Sequence, residues 1–288
     1  MTGQENQAFQ ESIAEVIKKR KSIRNYKAEV LTEELKAAIK DYAVTLQGPF
    51  DKKVRFELVD YGTLLEETGG KIGTYGVIKG AKAYIAGIIE KGEKDLEQLG
   101  YVFEKIILYA TFLGLGTCWL GGTFKREEFQ KILDLKENEI LPTVTPIGYI
   151  EEKKGVLDSV MRLAVGSNNR KEWRELFFHQ SFNSPLEETE TAYTLPLEMV
   201  RLAPSASNKQ PWRIVKDKKA WHFYLCPTKG YGKALGFNIQ RIDIGIAMCH
   251  FEMTARSQGL EGNWKVKEKS PMIEGAKEEI YIVSWIEA

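Results

Sequence analysis

The chain has 288 residues, enough for one large domain or two small ones, and its 43% hydrophobic and 28% charged residues are ordinary for a globular protein. A formal net charge of +1 supplies no global field for nucleic acid or a membrane surface, so neither is expected as a partner. Three cysteines (Cys118, Cys226, Cys249) form no CxxC pair, three scattered histidines (His179, His222, His250) have no metal-ligand spacing, and the polar Met1–Asn6 stretch has no apolar h-region. The expectation is a reducing, cytoplasmic setting with no metal.

In chain order, helical spacing over residues 8–19 puts Phe9, Ile13, Val16 and Ile17 on one face. Thr32 is an N-cap for a second helix with Glu33 and Glu34 in its first turn and Leu35, Ala38, Ile39 and Tyr42 on one side. Val54–Val59 alternates as a strand, and Ala83–Ile89 reads as a more buried one. Ile106–Phe124 carries no charge and approaches membrane-spanning length, but Glu104 and Lys105 precede it and Gly114, Gly116, Gly121 and Gly122 break it. It predicts a buried helix over about 100–114 followed by a glycine-rich loop. Thr143–Tyr149 reads as a strand. The second half repeats the order: a helix at 195–202, strands at 212–215 and 221–225, a long helix over roughly 241–258, and a final strand at 280–286.

Two features stand out against this background. In both halves a long helix ends in Gly-Leu (Gly114-Leu115, Gly259-Leu260), and a tryptophan follows four residues later (Trp119, Trp264), which predicts an internal duplication. The segment Leu202–Arg213 packs Ser205, Ser207, Asn208 and Gln210 between a helix end and Pro211-Trp212. Short hydrogen-bonding groups in such a place suit a planar, polar-edged ligand; the alternative is a plain helix stop and turn.

Three segments together resemble the flavin-dependent nitroreductase family. Arg20-Lys21-Ser22-Ile23-Arg24-Asn25-Tyr26 is similar to its N-terminal Arg-Arg-Ser-x-Arg-x-Phe signature, Ala203–Trp212 to its Ala-Pro-Ser-x-x-Asn-x-Gln-Pro-Trp signature, and Gly114–Gly122 to its Gly-Leu-Gly-Thr-Cys-Trp-x-Gly-Gly loop. The resemblance covers most of residues 10–288, apart from a connecting stretch at about 180–195. Typical members are homodimers that build the flavin mononucleotide (FMN) site from both chains. Here the first and third segments lie only in the first half, and the second only in the second. Thr45–Asp51 has lost the Ser and Asn of its counterpart, and Glu261-Gly262-Asn263-Trp264 has lost the glycine pair.

The resemblance therefore implies an α+β, nitroreductase-like fold of two related halves, each with a mostly antiparallel sheet and a long central helix, packed as an intrachain pseudo-dimer. The expected division is 1–160, a connector at 161–194, and 195–288. One FMN site per chain is expected, with the pseudo-related site decayed. Arg20, Ser22 and Arg24 would bind the phosphate, and Lys21 would extend to the ribityl chain or ring edge. Arg170 would be a further phosphate contact or else a surface charge. Pro204, Ser205, Ala206, Ser207 and Asn208 would line the dimethylbenzene and ribityl side, with Gln210 close by. Trp119, Leu120, Gly121 and Gly122 would close over one ring face, their backbone N–H groups reaching N5. Lys71 or Lys79 would place positive charge near N1. Cys118 reads as an apolar filler, with a redox thiol as the alternative.

The flavin carries the chemistry in such proteins, so no side chain is assigned as catalytic. The implied activity is ping-pong reduction of a nitroaromatic, quinone or similar small acceptor by NADH or NADPH. The alternatives are other flavin chemistry, such as dehalogenation or flavin modification, or a non-catalytic flavin-binding relic. Fusion of the halves removes the need for a homodimer, so a monomer suffices.

Overall fold

The computed structural model describes residues 11–68, 74–151, 169–189, 191–231 and 235–288. The first half begins with helix α1 (Ile13–Lys19) and helix α2 (Glu33–Thr45), whose N-cap Thr32 accepts a hydrogen bond from Leu35 N through its side chain. Strand β1 (Val54–Asp60), helix α3 (Tyr61–Thr68), strand β2 (Ala83–Glu90), helix α4 (Asp95–Phe112), strand β3 (Leu115–Thr117), helix α5 (Arg126–Gln130) and strand β4 (Glu139–Tyr149) follow. The first sheet has the order β1-β2-β4-β3 and every pairing is antiparallel.

Helix α6 (Trp173–Leu176) and strands β5 (Phe177–His179) and β6 (Ser181–Pro185) lie within the 161–194 span. Helix α7 (Thr194–Leu202), strands β7 (Trp212–Asp217) and β8 (Ala220–Leu225), helix α8 (Gln240–Ser257) and strands β9 (Gly262–Lys265) and β10 (Ile280–Glu287) complete the chain. The second sheet runs β6-β5-β7-β8-β10-β9, antiparallel except where β5 lies parallel to β7. The architecture is α+β, with one mostly antiparallel sheet and one long helix in each half.

The two long helices join the halves, and their contact is reciprocal. A Cβ on Gly100 would lie 2.2 Å from Ile242 O, and one on Gly245 would lie 2.1 Å from Glu97 O. Aligning Gly114 on Gly259 puts Gly100 on Gly245 and Glu97 on Ile242, so each helix uses the same two positions against the other. Both helices also stop alike: Gly114 (φ +76°) and Gly259 (φ +74°) adopt the left-handed conformation just past the helix end. This pseudo-two-fold is the intrachain pseudo-dimer expected from the sequence. Both helices are buried along nearly their whole length, including Glu97, Glu104, Asp243, His250 and Glu252.

The charge-free stretch Ile106–Phe124 is the end of α4, strand β3 and the glycine-rich loop. Among the described residues no helix is long and apolar enough to cross a membrane. Helix α4 begins at Asp95, earlier than the apolar pattern indicated, because its first turn is polar and still buried: Asp95 Oδ1 accepts from Leu96 N at 2.7 Å and Oδ2 from Gly92 N at 3.0 Å.

Candidate functional site

A cavity of about 700 Å³ opens between the halves. This lies within the range of about 300–1,000 Å³ common for small-molecule sites. Apart from Gln210 and the alternative lysines Lys71 and Lys79, the predicted site residues line it: Arg20, Lys21, Ser22 and Arg24; Trp119, Leu120, Gly121 and Gly122; Arg170; and Pro204, Ser205, Ala206, Ser207 and Asn208. Three stretches remote in sequence are thus brought to one place.

The wall that carries positive charge is anchored by main-chain pairing. Ser22 bridges Thr117, and Ile23 N donates to Thr117 O at 2.8 Å, which ties the Arg20–Arg24 segment to β3. Arg20 is buried, its Nε has no hydrogen-bond partner among the described residues, and Glu104 Oε1 stands 4.0 Å away. Burial lowers the Arg20 pKa, with Glu104 opposing. Arg170 donates from Nη1 to Asn208 Oδ1 at 2.5 Å and from Nη2 to Leu202 O at 3.0 Å, so it is a half-buried clamp on the loop. Burial, followed by the nearby Arg20, pulls its pKa down to about 10. Two largely desolvated guanidiniums that line one cavity, the charge of one depressing that of the other, are an unfavourable pair that an anion in the cavity would relieve. This is the observation that fits a phosphate.

The opposite wall is held in an unusual backbone shape. Ser207, Asn208 and Gln210 all have positive φ (47°, 52° and 48°), a region that residues with side chains seldom enter. Side-chain bonds hold the strained loop. Gln210 N donates to Ser205 Oγ at 2.9 Å, Ala206 N to Asp243 Oδ1 at 3.0 Å, and Tyr231 Oη to Ser207 Oγ at 2.7 Å. Strain held this way is characteristic of functional loops. Gln210 itself is turned away from the cavity. Its Oε1 accepts from Lys171 N at 2.9 Å, and its Nε2 donates to Asn169 O and Asn208 O. It braces the loop from behind.

The third wall is the glycine-rich loop. Gly121 packs closely on the tip of Ile239, since a Cβ there would lie 2.1 Å from Ile239 Cδ1 and the isoleucine would have to turn, whereas one on Gly122 would meet nothing closer than 3.9 Å. The Trp119 indole is held against α4: its Nε1 donates to Glu104 Oε2 at 2.8 Å, and its ring lies edge-on to Phe103 with centroids 5.1 Å apart. Cys118 is buried at the cavity with its N–H bonded to Thr145 Oγ1. Lys79 pairs through its backbone with Asn25 and Arg24 and is not among the lining residues; Lys71 lies outside the described residues.

Four residues not anticipated from sequence complete the site. Glu104 is buried and binds Trp119, with His250 Nε2 at 2.9 Å from its other oxygen. His250 Nδ1 faces Met199 O at 2.9 Å, and a carbonyl only accepts, so Nδ1 carries a proton. A chain of contacts therefore runs from the Arg20 wall to helix α7, which leads into the strained loop. Arg126 secures the glycine-rich loop by donating to Gly121 O, Leu141 O and Pro142 O. Asp243 stands in the wall formed by α8, between Ile239, Ile242 and Ile246.

The family model described as "Putative TM nitroreductase" matches residues 12–255. The chain belongs to this nitroreductase family. Among solved structures, that of a putative nitroreductase from Thermotoga maritima is 21% identical, covering 96% of this chain and 94% of its own with a TM-score of 0.61. The same fold thus extends over both halves. A nitroreductase family protein from Clostridium novyi is 24% identical over 52% of this chain and 92% of its own, with a TM-score of 0.42. A nitroreductase with bound FMN from Desulfitobacterium hafniense is 23% identical over 50% of this chain and 92% of its own, with a TM-score of 0.41. No curated protein matches the chain. In this member of the nitroreductase family, the cavity between the halves is where the three signature segments meet.

Proposed function

We propose that the protein is an FMN-dependent oxidoreductase with one flavin site per chain, in the cavity between a first half at 1–160 and a second at 195–288. The observation that supports this reading is the pair of desolvated guanidiniums, Arg20 and Arg170, lining one cavity together with all three signature segments. Arg20, Arg24 and Arg170 would hold a dianionic phosphate, with Ser22 and Asn208 beside it. Ile239, Ile242, Ile246 and Leu120 form an apolar slot for a flat ring. When bound, FMN would supply the redox chemistry, hydride transfer from NAD(P)H to a nitroaromatic, quinone or similar acceptor. The protein's part is to orient the ring, exclude water from its buried face and leave the other face open to donor and acceptor in turn.

The purified protein is expected to be yellow and to release one FMN per chain on denaturation. Replacing Arg20 and Arg24 together by Ala should abolish retention. Arg55→Ala should not, because Arg55 is engaged with Glu57 and Glu139 on the first sheet. Colourless protein that takes up no added FMN rejects the proposal. Bound flavin that is not bleached by NADH or NADPH without oxygen would leave a binder and reject the reductase.

A further inference from the structure

The sheet of the first half ends on an open strand edge. Both sheets contain the same four-strand core, β1-β2-β4-β3 and β7-β8-β10-β9, with antiparallel pairing throughout. In the second half the outer side of β7 is taken: β5 lies parallel to it, and Gln180 N donates to Lys216 O at 2.8 Å. Among the described residues no strand takes the corresponding side of β1. A groove of about 1060 Å³ lies here, with Lys40 and Val44 of α2 on one side and residues 54–58 on the other. Consecutive strand residues point to opposite faces, so a groove lined by all five follows the edge itself. Val44 is 84% exposed.

Hydrogen-bond alternation decides what the edge offers. Tyr61 N donates to Lys82 O at 2.9 Å, continuing the β1–β2 register without a bulge. Residues 55, 57 and 59 therefore turn their main-chain groups to β2, and Val54, Phe56, Leu58 and Asp60 turn theirs to the open side. Among the described residues those open groups have no backbone partner.

The sequence along this edge is antisymmetric in charge about Phe56. A second β1 laid antiparallel with Phe56 on Phe56 sets Arg55 against Glu57 of the second copy, Val54 against Leu58 and Lys52 against Asp60, each pair twice. The open groups of Val54, Phe56 and Leu58 then meet open groups on the other strand. Moving the two-fold by one residue sets Arg55 on Arg55 or Glu57 on Glu57. Charged side chains commonly guard a bare edge against pairing. Here the alternation of sign favours one register. Arg55 and Glu57 already lie 2.9 Å apart in one chain, so two copies interleave four charges of alternating sign.

We propose that this edge is an interface between two copies of the chain, joined by an antiparallel β1–β1 pair about a two-fold axis at Phe56. The axis stands across the sheet, so the α2 helices of both copies lie on the same face of the joined sheet. Neither β1 nor α2 lines the cavity between the halves, so the interface is independent of flavin.

Sedimentation equilibrium of the full chain over about a hundredfold range of concentration should show a mass rising toward twice that of one chain. Val54→Pro removes an edge N–H at the first residue of the strand, where proline is tolerated, and Glu57→Lys sets like charges across the axis. Each is expected to weaken association at least about tenfold. Glu187→Lys makes the same charge change on an exposed residue outside the groove and should leave association unchanged. Cross-linking reads the register. Arg55→Cys and Glu57→Cys, mixed and oxidised, should give a disulfide-linked dimer in higher yield than either variant alone, because the Cα atoms of such a facing pair stand about 4.5 Å apart. A wild type that stays monomeric, an association indifferent to Val54→Pro and Glu57→Lys, or cysteine variants that link no better mixed than alone overturns the proposal. If Val54→Pro or Glu57→Lys loses its far-ultraviolet dichroism, the cysteine pair decides.

Discussion

Glu104 links parts of the site that the signature residues leave unconnected. One of its oxygens holds the Trp119 indole, the other faces His250 from the second half, and Arg20 lies within reach. In the pseudo-related register Glu104 corresponds to Cys249 and His250 to Lys105, so the pair exists on one side of the molecule only. Glu104→Gln is therefore expected to weaken FMN binding about tenfold, equivalent to about 1.4 kcal/mol, by removing the charge that balances Arg20 and fixes His250. Glu128→Gln, half-buried beside Lys125 and not among the residues that line the cavity, is the control and should leave Kd unchanged. Equal affinities in both variants would reduce Glu104 to a core residue. The three signature segments were legible in sequence because each is contiguous, so a short window contains its whole chemistry. Glu104, His250 and Asp243 were not, because each is an isolated polar position on a buried helix and becomes a partner only across the fold. In the sequence Glu104 served only as a charge before an apolar run. Gln210 was read as lying near the ligand because it shares the loop, but the left-handed turn at 207–210 points its amide to the back.

At the level of elements, the helix pair decides the geometry. Gly100 and Gly245 let α4 and α8 approach until the backbone of each touches the other. The cavity walls from α8 and from the glycine-rich loop after α4 keep their separation only while this crossing is intact. A methyl at either glycine meets backbone, which cannot rotate away, so Gly100→Ala and Gly245→Ala are each expected to cost about 3 kcal/mol and to lower flavin affinity together with stability. Gly62→Ala is the contrast: it lies in α3, nothing stands within 4 Å of its added Cβ, and a neutral or slightly stabilising effect is expected. Urea denaturation of the three variants measures this. If all three behave alike, close helix approach is not what those glycines provide. Long elements were legible because periodicity accumulates over many residues, as in α2, β2, α4, α8 and β10. The three-residue strand β3, the short helix α5 and the α6-β5-β6 stretch were not, since three to five residues carry no period and their conformation comes from the sheet edge or helix they meet. The parallel pairing of β5 with β7 is likewise a property of the assembled sheet.

For the whole molecule, the duplication was legible in two Gly-Leu helix ends with a tryptophan at equal spacing, but the sharing of the core was not. Helix α1 belongs to the first half by sequence, yet Ile13, Ala14, Val16 and Ile17 join one buried cluster with Trp212, Phe223, Phe251 and Trp285 of the second. Leu96, Tyr101, Val102 and Leu108 of α4 enter the same cluster. Tyr101 Oη donates to Glu252 Oε2 at 2.6 Å, and Arg241 pairs with Glu97 at 2.8 Å, so polar groups buried on one half find partners on the other. Separating the halves would expose the apolar faces of both long helices and leave buried charges without partners, a penalty well above the roughly 5–15 kcal/mol that a domain of this kind has to spare. The chain is therefore expected to unfold in one transition, in contrast to two tethered domains, which unfold independently. Far-ultraviolet circular dichroism and tryptophan fluorescence should give coincident urea curves, and amide exchange in β2 and β8 should lose protection at the same denaturant concentration. Fragments 1–160 and 195–288 expressed alone should lack near-ultraviolet dichroism. Two resolved transitions, or a fragment with native near-ultraviolet signal, would mean that each half has a sufficient core of its own and that the cavity lies between partners free to separate.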